Sequence, residues 1–456
     1  MASGCVEWAV ATTLLQATQA ELAAHLQRRA GLTPEAEQHL GRQLIQDQID
    51  ALARERLEQG MADLGSEAER DLAAAVFAGL FEMGRLQPLL DNTEVENIEI
   101  SGFDHVLLEY ADGSVVDADP VADSDDALID QIRYIAARLG RSERTLTRGH
   151  PHLTMRLADG SRLAAAIETV PRPEIVIRRH RFRDIDLDDL ITLGTLDEVL
   201  AEFLRAAVRA RKNIVVTGLP GSGKTTMIRA LVNEVHPAER IGTIESEQEL
   251  LLHELPERHP RLVAMEALEG TGERGPDGRQ LGEVDLSELV RMSKKMNFRR
   301  VILGEVLGDE IGPMLKLMID SEGGSMCTLH ARSAQDAFER MVDLRMGLGD
   351  GVSVEFANRL AARAVNLVVH IRLIDEGYPV HTRRRFVSQV VESNGVGEGG
   401  RPALTDVFGP GPDGRAVPQV RPVDLDDYLR VDFDPSWLDL RDGRWPAWDQ
   451  PRRRLA

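Results

Sequence analysis

The sequence predicts an α/β protein organised around a mostly parallel sheet, and three observations lead there. Between residues 195 and 374, segments of helical periodicity alternate with short β-branched runs. One of those runs, Asn213–Gly218, passes through a glycine-rich turn directly into a helix-forming segment. Upstream, two Asp-Gly turns sit between strand-like runs, the pattern of a separate, smaller α+β module.

Residues 1–72 are rich in Ala, Leu, Gln and Glu with helical spacing, and are expected to form a helical arm. The module at 73–187 follows. Tyr110–Ser114 and Leu157–Ser161 are its two hairpin candidates, with a helix expected over Asp126–Leu139 between them. Asp184–Gly194 (DIDLDDLITLG) is expected to be a linker. The central domain, 188–376, is predicted to contain helices over Leu196–Arg209, Lys224–Val235, Leu286–Met296 and Glu310–Ser321. Its predicted strands are Asn213–Gly218, Arg240–Glu245, Arg300–Gly304 and Ser325–Leu329. Residues 377–456 read as a partly loose C-terminal extension. A short strand pair at most is expected there (Phe386–Val391 and Leu404–Phe408), with a tail bearing Trp437, Trp445 and Trp448.

The 456 residues leave room for about three domains. Hydrophobic residues at 43% and charged residues at 28% are ordinary for a globular protein, and no apolar run approaches the roughly 18–20 residues of a membrane span. The N-terminal segment lacks a basic stretch and carries Glu7, so no secretory signal is expected. Two cysteines, Cys5 and Cys327, make no disulfide framework and suit a reducing cytoplasm. A formal charge of −21 with 4% aromatic residues argues against a dedicated nucleic-acid surface. The basic runs Arg178–Arg183 and Arg452–Arg454 are local exceptions.

Gly218, Gly223, Lys224 and Thr225 fit the pattern G-x-x-x-x-G-K-[ST] in the strand–turn–helix setting that the pattern requires. Gly218, Gly221, Ser222 and Gly223 let the backbone curl around an anion with its N–H groups inward, and the helix starting at Lys224 adds a favourable dipole. Lys224 can reach β- and γ-phosphates, the Thr225 hydroxyl can ligate Mg2+, and Thr226 opens the helix-forming run Thr226–Leu231 beside them. The chain's only lysines are Lys212, Lys224, Lys294, Lys295 and Lys316, so a lysine at the motif position is not compositional drift. The motif implies binding of a nucleoside triphosphate such as ATP.

Hydrolysis would also need a group to orient water, a second hold on Mg2+ and positive charge for the transition state. Glu245 ends the strand IGTIE, the natural place for a base. Glu305 ends RRVILGE and reads either as an acid holding Mg2+ through water or as a surface glutamate after a core strand. His330 follows SMCTL and reads either as a γ-phosphate contact or as a structural histidine. Cys327 reads as a small buried hydrophobe.

Taken together these motifs resemble the type II/type IV secretion ATPases, in particular the CpaF-like branch that powers Tad/Flp-type pilus assembly. The resemblance runs over roughly residues 75–410. Its markers are GRLQPLLDNTEVENIEISGFDHVLLE (Gly84–Glu109), RLADGSR (Arg156–Arg162), Ile177-Arg178, TIESEQEL (Thr243–Leu250), LVRMSKKMNFRRVILGEV (Leu289–Val306) and GGSMCTLHARS (Gly323–Ser333). It implies a RecA-like P-loop NTPase domain, a mobile N-terminal domain and a homohexameric ring. Glu245 would be general base, Glu305 the Mg2+-holding acid, His330 the γ-phosphate sensor and Arg291 a transition-state arginine. Arg162 and Arg178 would reach the phosphates from the N-terminal domain. The implied partners are further copies of the chain and an inner-membrane platform protein, the implied cofactors ATP and Mg2+, and the implied location the cytoplasm.

The sequence departs from the family pattern in places. Lys295 and Asn297 stand where the arginine region carries further arginines, Leu307 follows the acid where an arginine is usual, and Ser246 replaces an aspartate. Arg299 and Arg300 are nearby substitutes, but an arginine at a strand start points away from such a site. Two alternatives remain beside the secretion motor: a DNA-transfer motor, and an ATP-binding scaffold that hydrolyses slowly or not at all.

Overall fold

The computed structural model describes residues 8–28, 32–62, 64–139, 146–179, 184–268, 270, 275, 280–376 and 382–447. The chain divides into two compact units, Met1–Arg181 and Phe182–Ala456. Trp448 and Arg452–Arg454 lie outside the described residues, as do Cys5 and most of the Arg178–Arg183 run.

In the first unit, α1 (Trp8–Arg28), α2 (Pro34–Glu58) and α3 (Ser66–Phe81) pack against one another. The expected arm is therefore a three-helix bundle with its own core of Leu14, Leu22, Leu44, Ile49, Leu72 and Val76, and residue 72 falls inside α3 rather than at an element boundary. Thr33 starts α2 by accepting from Ala36 N, with Pro34 in the first turn. The short α4 (Gln87–Asp91) leads to β1 (Val95–Ser101), β2 (His105–Tyr110) and β3 (Val115–Ala118), then α5 (Asp125–Leu139), β4 (His152–Arg156), β5 (Arg162–Ala166) and β6 (Glu174–Arg178). Both expected hairpins form: Gly113 N donates to Tyr110 O and Gly160 N to Leu157 O, closing β2–β3 and β4–β5. The sheet runs β3-β2-β1-β6-β5-β4 and is antiparallel throughout. Alternate residues Ile98, Ile100, Leu163 and Ile177 turn inward onto Leu128 and Ile132 of α5.

The second unit opens with α6 (Leu187–Thr192), in the segment expected to be a linker. The acidic run there is a capping box: Asp186 accepts from Asp188 N and Asp189 N while the Asp189 side chain accepts from Asp186 N. α7 (Glu198–Arg209), β7 (Ile214–Gly218), α8 (Lys224–Asn233), β8 (Ile241–Glu245) and β9 (Leu262–Glu266) follow. Next come α9 (Leu286–Ser293), β10 (Arg300–Val306), α10 (Ile311–Asp320), β11 (Met326–Leu329), α11 (Ala334–Gly347) and α12 (Val354–Ala364). β12 (Leu367–Asp375), β13 (Arg383–Val396), β14 (Pro402–Pro410), β15 (Ala416–Pro418) and α13 (Leu425–Leu429) complete it.

Nine strands form one sheet in the order β15-β14-β13-β12-β7-β11-β10-β8-β9. From β12 to β9 every pairing is parallel, and β7 is buried along its whole length, as the helix–strand alternation predicts. The C-terminal extension is more ordered than its composition suggests. β13 and β14 extend the same sheet by antiparallel pairing and are longer than the expected short pair. Beyond them, fully buried Tyr428 stacks on Phe203 of α7 at 5.0 Å, and the Lys212 ammonium meets Asp427 at 2.8 Å. Trp437 and Trp445 pack on this core. No described helix is long and apolar enough to cross a membrane.

Candidate functional site at the C-terminal edge of the parallel sheet

Parallel strands deliver their C-terminal ends to one edge, where open α/β sheets hold their ligands. Four neighbours end there: β7 in the glycine-rich loop, β11 before His330, β10 around Glu305, and β8 at Glu245. The pairings Thr217↔Leu329, Leu329↔Val306 and Leu303↔Ile244 bring these ends level.

The loop is shaped by its glycines. Gly221 has φ +75° and Gly223 has φ +94°, left-handed conformations that disfavour any side chain. Gly223 occupies the N-cap of α8, so the first N–H groups of that helix open onto the loop. At Gly218 a Cβ would lie 2.5 Å from both the Ile371 carbonyl and Ser222 Oγ. Ser222 and Thr217 are fully buried, and their hydroxyl oxygens have no hydrogen-bond partner among the described residues.

Lys224 is buried, with Nζ 3.3 Å from Leu219 O and 3.1 Å from His330 Nδ1. On the far side of the same ring, His330 Nε2 lies 2.6 Å from Glu305 Oε1. An ammonium can only donate, so Nδ1 accepts and the ring proton sits on Nε2, facing the carboxylate. Lysine, histidine and glutamate thus form one hydrogen-bonded chain across β7, β11 and β10. The strand behind it is fixed by Thr328 Oγ1, which donates to Gly304 O at 2.6 Å.

Glu245 is only 4% exposed and packs against Gly304, where a Cβ would come within 2.8 Å of Glu245 Cγ. Its Oε1 accepts from Glu249 N at 3.0 Å and from Leu250 N at 2.9 Å. Burial dominates and pushes its pKa up to about 7, against the pull of those two N–H donors. The carboxyl stands at the end of β8, on the sheet edge where β7 enters the glycine-rich loop.

The remaining sequence-predicted residues are placed differently. Thr225 and Thr226 are half-buried at the start of α8. Arg291, in the last turn of α9, is exposed, and no hydrogen bond or ion pair joins it to the other described residues. Arg162 and Arg178 belong to the first unit, where they are direct cross-strand partners on β5 and β6, and Arg156 of β4 faces Arg162 in turn. A row of three arginines therefore crosses that sheet. Arg156 escaped the sequence reading because only strand register aligns it with the other two.

The departures are also placed. Lys295 and Leu307 are both exposed. Arg299 pairs with Glu322 at 2.6 Å, and buried Arg300 holds Glu239 through two bonds of 2.9 Å, both at the start of β10, away from the site edge. Cys327 is buried and its thiol is pushed up to about 12, which makes it inert, as expected. A second residue missed in sequence is Arg385 of β13, whose Nε donates to Gly221 O at 2.7 Å.

A nucleoside triphosphate fits this set: curled glycine backbone, a helix N-terminus, a lysine and a buried serine hydroxyl. Mg2+ fits as well, because it takes one or two protein oxygens together with phosphates and water, and Thr225 and Glu305 supply such oxygens. No cluster of three or more metal-ligating side chains occurs among the described residues.

Fold and edge define an α/β protein with a phosphate-loop motif at the C-terminal ends of parallel strands. Residues 105–409, about two thirds of the chain, match the sequence profile of the family described as Type II/IV secretion system protein, and the chain belongs to that family. It is similar to VirB11 of Agrobacterium fabrum, with 31% identity over 183 residues, 40% of this chain and 50% of the relative. It is also similar to the type IV secretion system protein PtlH of Bordetella pertussis, with 38% identity over 140 residues, 31% of this chain and 38% of the relative. These alignments span half or less of each relative's length. Among solved structures, the VirB11 ATPase of the Brucella suis type IV secretion system, in complex with sulphate, matches at 25% identity and a TM-score of 0.34, covering 71% of this chain and 96% of that one. The pilus retraction motor PilT with bound ADP matches at 13% identity and a TM-score of 0.46, covering 79% and 90%.

Proposed function

We propose that this chain is a cytoplasmic ATPase of the CpaF-like branch, working as a homohexamer with a RecA-like core to power pilus assembly or protein secretion at an inner-membrane platform protein. The observation that carries the reading is the Lys224–His330–Glu305 chain with Glu245 on the adjacent strand. Three strands far apart in sequence end at the same edge as the glycine-rich loop, each with a residue of the type that ATP hydrolysis uses. The names VirB11 ATPase and secretion protein PtlH among its relatives support the same reading.

The loop from Gly218 to Thr226 cradles the phosphates, and Lys224 exchanges His330 for a phosphate oxygen. His330, released on that side, faces the terminal phosphate. Thr225 and Glu305 would hold Mg2+, which neutralises charge on the phosphates when bound. Glu245 orients and deprotonates the attacking water. Arg162 and Arg178, with Arg156 beside them, form a row across the sheet of the first unit, and Arg291 acts on a site other than its own chain's.

One observation favours a second reading. Exposed Lys295 and Leu307 stand where the family pattern carries arginines, so a slowly hydrolysing or non-hydrolysing ATP-binding scaffold is the runner-up. A DNA-transfer motor is disfavoured by the charge of −21. Steady-state phosphate release from MgATP, with and without single-stranded DNA, tests all three. DNA-independent turnover that disappears in Glu245→Gln supports the motor. Tight binding without turnover selects the scaffold, and strong DNA stimulation selects the DNA motor.

A further inference from the structure

A loop that binds an anion through its N–H groups must turn its carbonyls outward, and each carbonyl then needs a partner elsewhere. Gly221 is where this matters most. Its φ of +75° and lack of a side chain make rotation of the following peptide cheap, and rotation would swing a carbonyl toward the phosphates. The protein supplies an external hold. β12 keeps register with β7 as far as Ile371↔Gly218, then runs on to Asp375, and β13 returns alongside it. The paired residues Leu373 and Arg385 stand on one face of this overhang. Leu373 Cδ2 lies 3.8 Å from where a Gly221 Cβ would be, and Arg385 Cδ lies 3.8 Å from the corresponding point at Gly223. Arg385 Nε donates to the Gly221 carbonyl at 2.7 Å, a short, charge-assisted bond.

We propose that Arg385 is a nucleotide-positioning residue, which pins the Gly221 carbonyl outward and so keeps the phosphate loop in its anion-binding shape. The inference rests on the nucleotide-binding reading above. Because it acts on the loop rather than on base or sugar, its loss must weaken every polyphosphate ligand by a similar factor, whether or not a nucleoside is attached. Because the same loop shape serves ground state and transition state alike, the loss falls on KM more than on kcat.

The test uses the full chain and its Arg385→Ala and Arg385→Lys variants, with Kd measured for MgATP, MgADP and Mg-tripolyphosphate, and kcat and KM for MgATP. In Arg385→Ala all three Kd values are expected to rise together, by roughly tenfold to a hundredfold, the range for a lost charge-assisted bond. KM rises with them while kcat stays within about threefold, and Arg385→Lys recovers part of the loss because it keeps a charged donor. Should the alanine variant fail to fold, Arg385→Gln, which keeps an N–H without the charge, takes its place beside the lysine variant. Unchanged Kd values overturn the inference. So does a loss confined to MgATP and MgADP with tripolyphosphate unaffected, which would make Arg385 a base or sugar contact. A wild-type chain that binds none of the three sinks the nucleotide reading and this inference with it. Wild-type binding with an indifferent Arg385 sinks the inference alone.

Discussion

The two sheets of this protein treat charge in opposite ways. In the first unit, Arg156, Arg162 and Arg178 stand opposite one another across three antiparallel strands, like beside like. In the second, every charged group at the site edge is matched: Lys224 to His330, His330 to Glu305, and the Glu245 carboxyl to two backbone N–H groups. Like charges placed directly across a sheet are unfavourable, whereas matched groups at a buried edge rigidify one another. The comparison separates a row of like side chains, aligned by strand register, from an edge where unlike groups meet in hydrogen-bonded pairs.

The sharpest way to break this comparison is at Lys224. Lys224→Ala is expected to lower MgATP affinity by at least about a hundredfold, because a phosphate-contacting cation is lost from a partly desolvated site. Calorimetric binding at wild-type affinity would remove the phosphate-loop assignment.

Glu245→Gln comes next. It should bind MgATP normally while kcat falls by roughly 10²–10⁴, the usual contribution of a positioned general base. In the wild type, kcat should rise as pH passes from 6 to 8, following ionisation near the pKa of about 7. A flat profile, or a glutamine variant with full turnover, takes Glu245 out of the chemistry.

The same carboxyl makes a stability prediction. Its folded pKa is raised from 4.5 to about 7. The folded state therefore holds its proton more tightly than the unfolded state. Relative to Glu245→Gln, the wild type should lose stability as pH rises from about 4.5 to 7 and change little above that. The total is about 3 kcal/mol at 1.36 kcal/mol per pKa unit. Denaturant titrations of both proteins at pH 5 and pH 8 measure it. An equal stability difference between the two proteins at both pH values would mean that Glu245 titrates normally.

The smallest effects are expected in the first unit and at the departures. Arg162→Ala should change stability by no more than about 0.5 kcal/mol in either direction, the scale of one cross-strand pair, while MgATP turnover falls. A clear drop in stability with turnover intact would make the arginine row structural. Lys295→Arg and Leu307→Arg should raise kcat a few-fold with little change in KM, since they restore charge that acts on the transition state. No gain in either variant would show that these exposed positions are not catalytic.

The site edge was legible in the sequence because its signals are local. A β-branched run, glycines and a lysine follow one another in Asn213–Thr226, and Glu245, Glu305 and His330 each close a strand of their own. What stayed hidden depended on distant pairing. Arg385 meets Gly221 across 164 residues, and nothing in the string RRR at 383–385 announces that contact. Arg156 joined the arginine row only through strand register. The acidic run at Asp184–Asp189 suggested a solvated linker because capping aspartates and linker aspartates look alike until the helix is seen. The Gly- and Pro-rich composition after residue 376 likewise concealed long strands, whose glycines serve turns and whose last proline ends β15.

That last strand bears on how the protein behaves when concentrated or overproduced. A nine-stranded sheet with a bare margin would present a ladder of unpaired N–H and C=O groups to any neighbouring molecule, an invitation to intermolecular strand stacking. Here the margin is three residues long, Pro418 has no N–H to offer, and Trp445 Nε1 occupies the Ala416 carbonyl at 2.7 Å. Arg415 lies over the Trp445 ring at 5.0 Å and holds the Pro446 carbonyl at 2.7 Å, so the segment around Trp445 is strapped along the margin. Truncation before Arg444 would strip that strap and leave a bare margin open to intermolecular strand pairing.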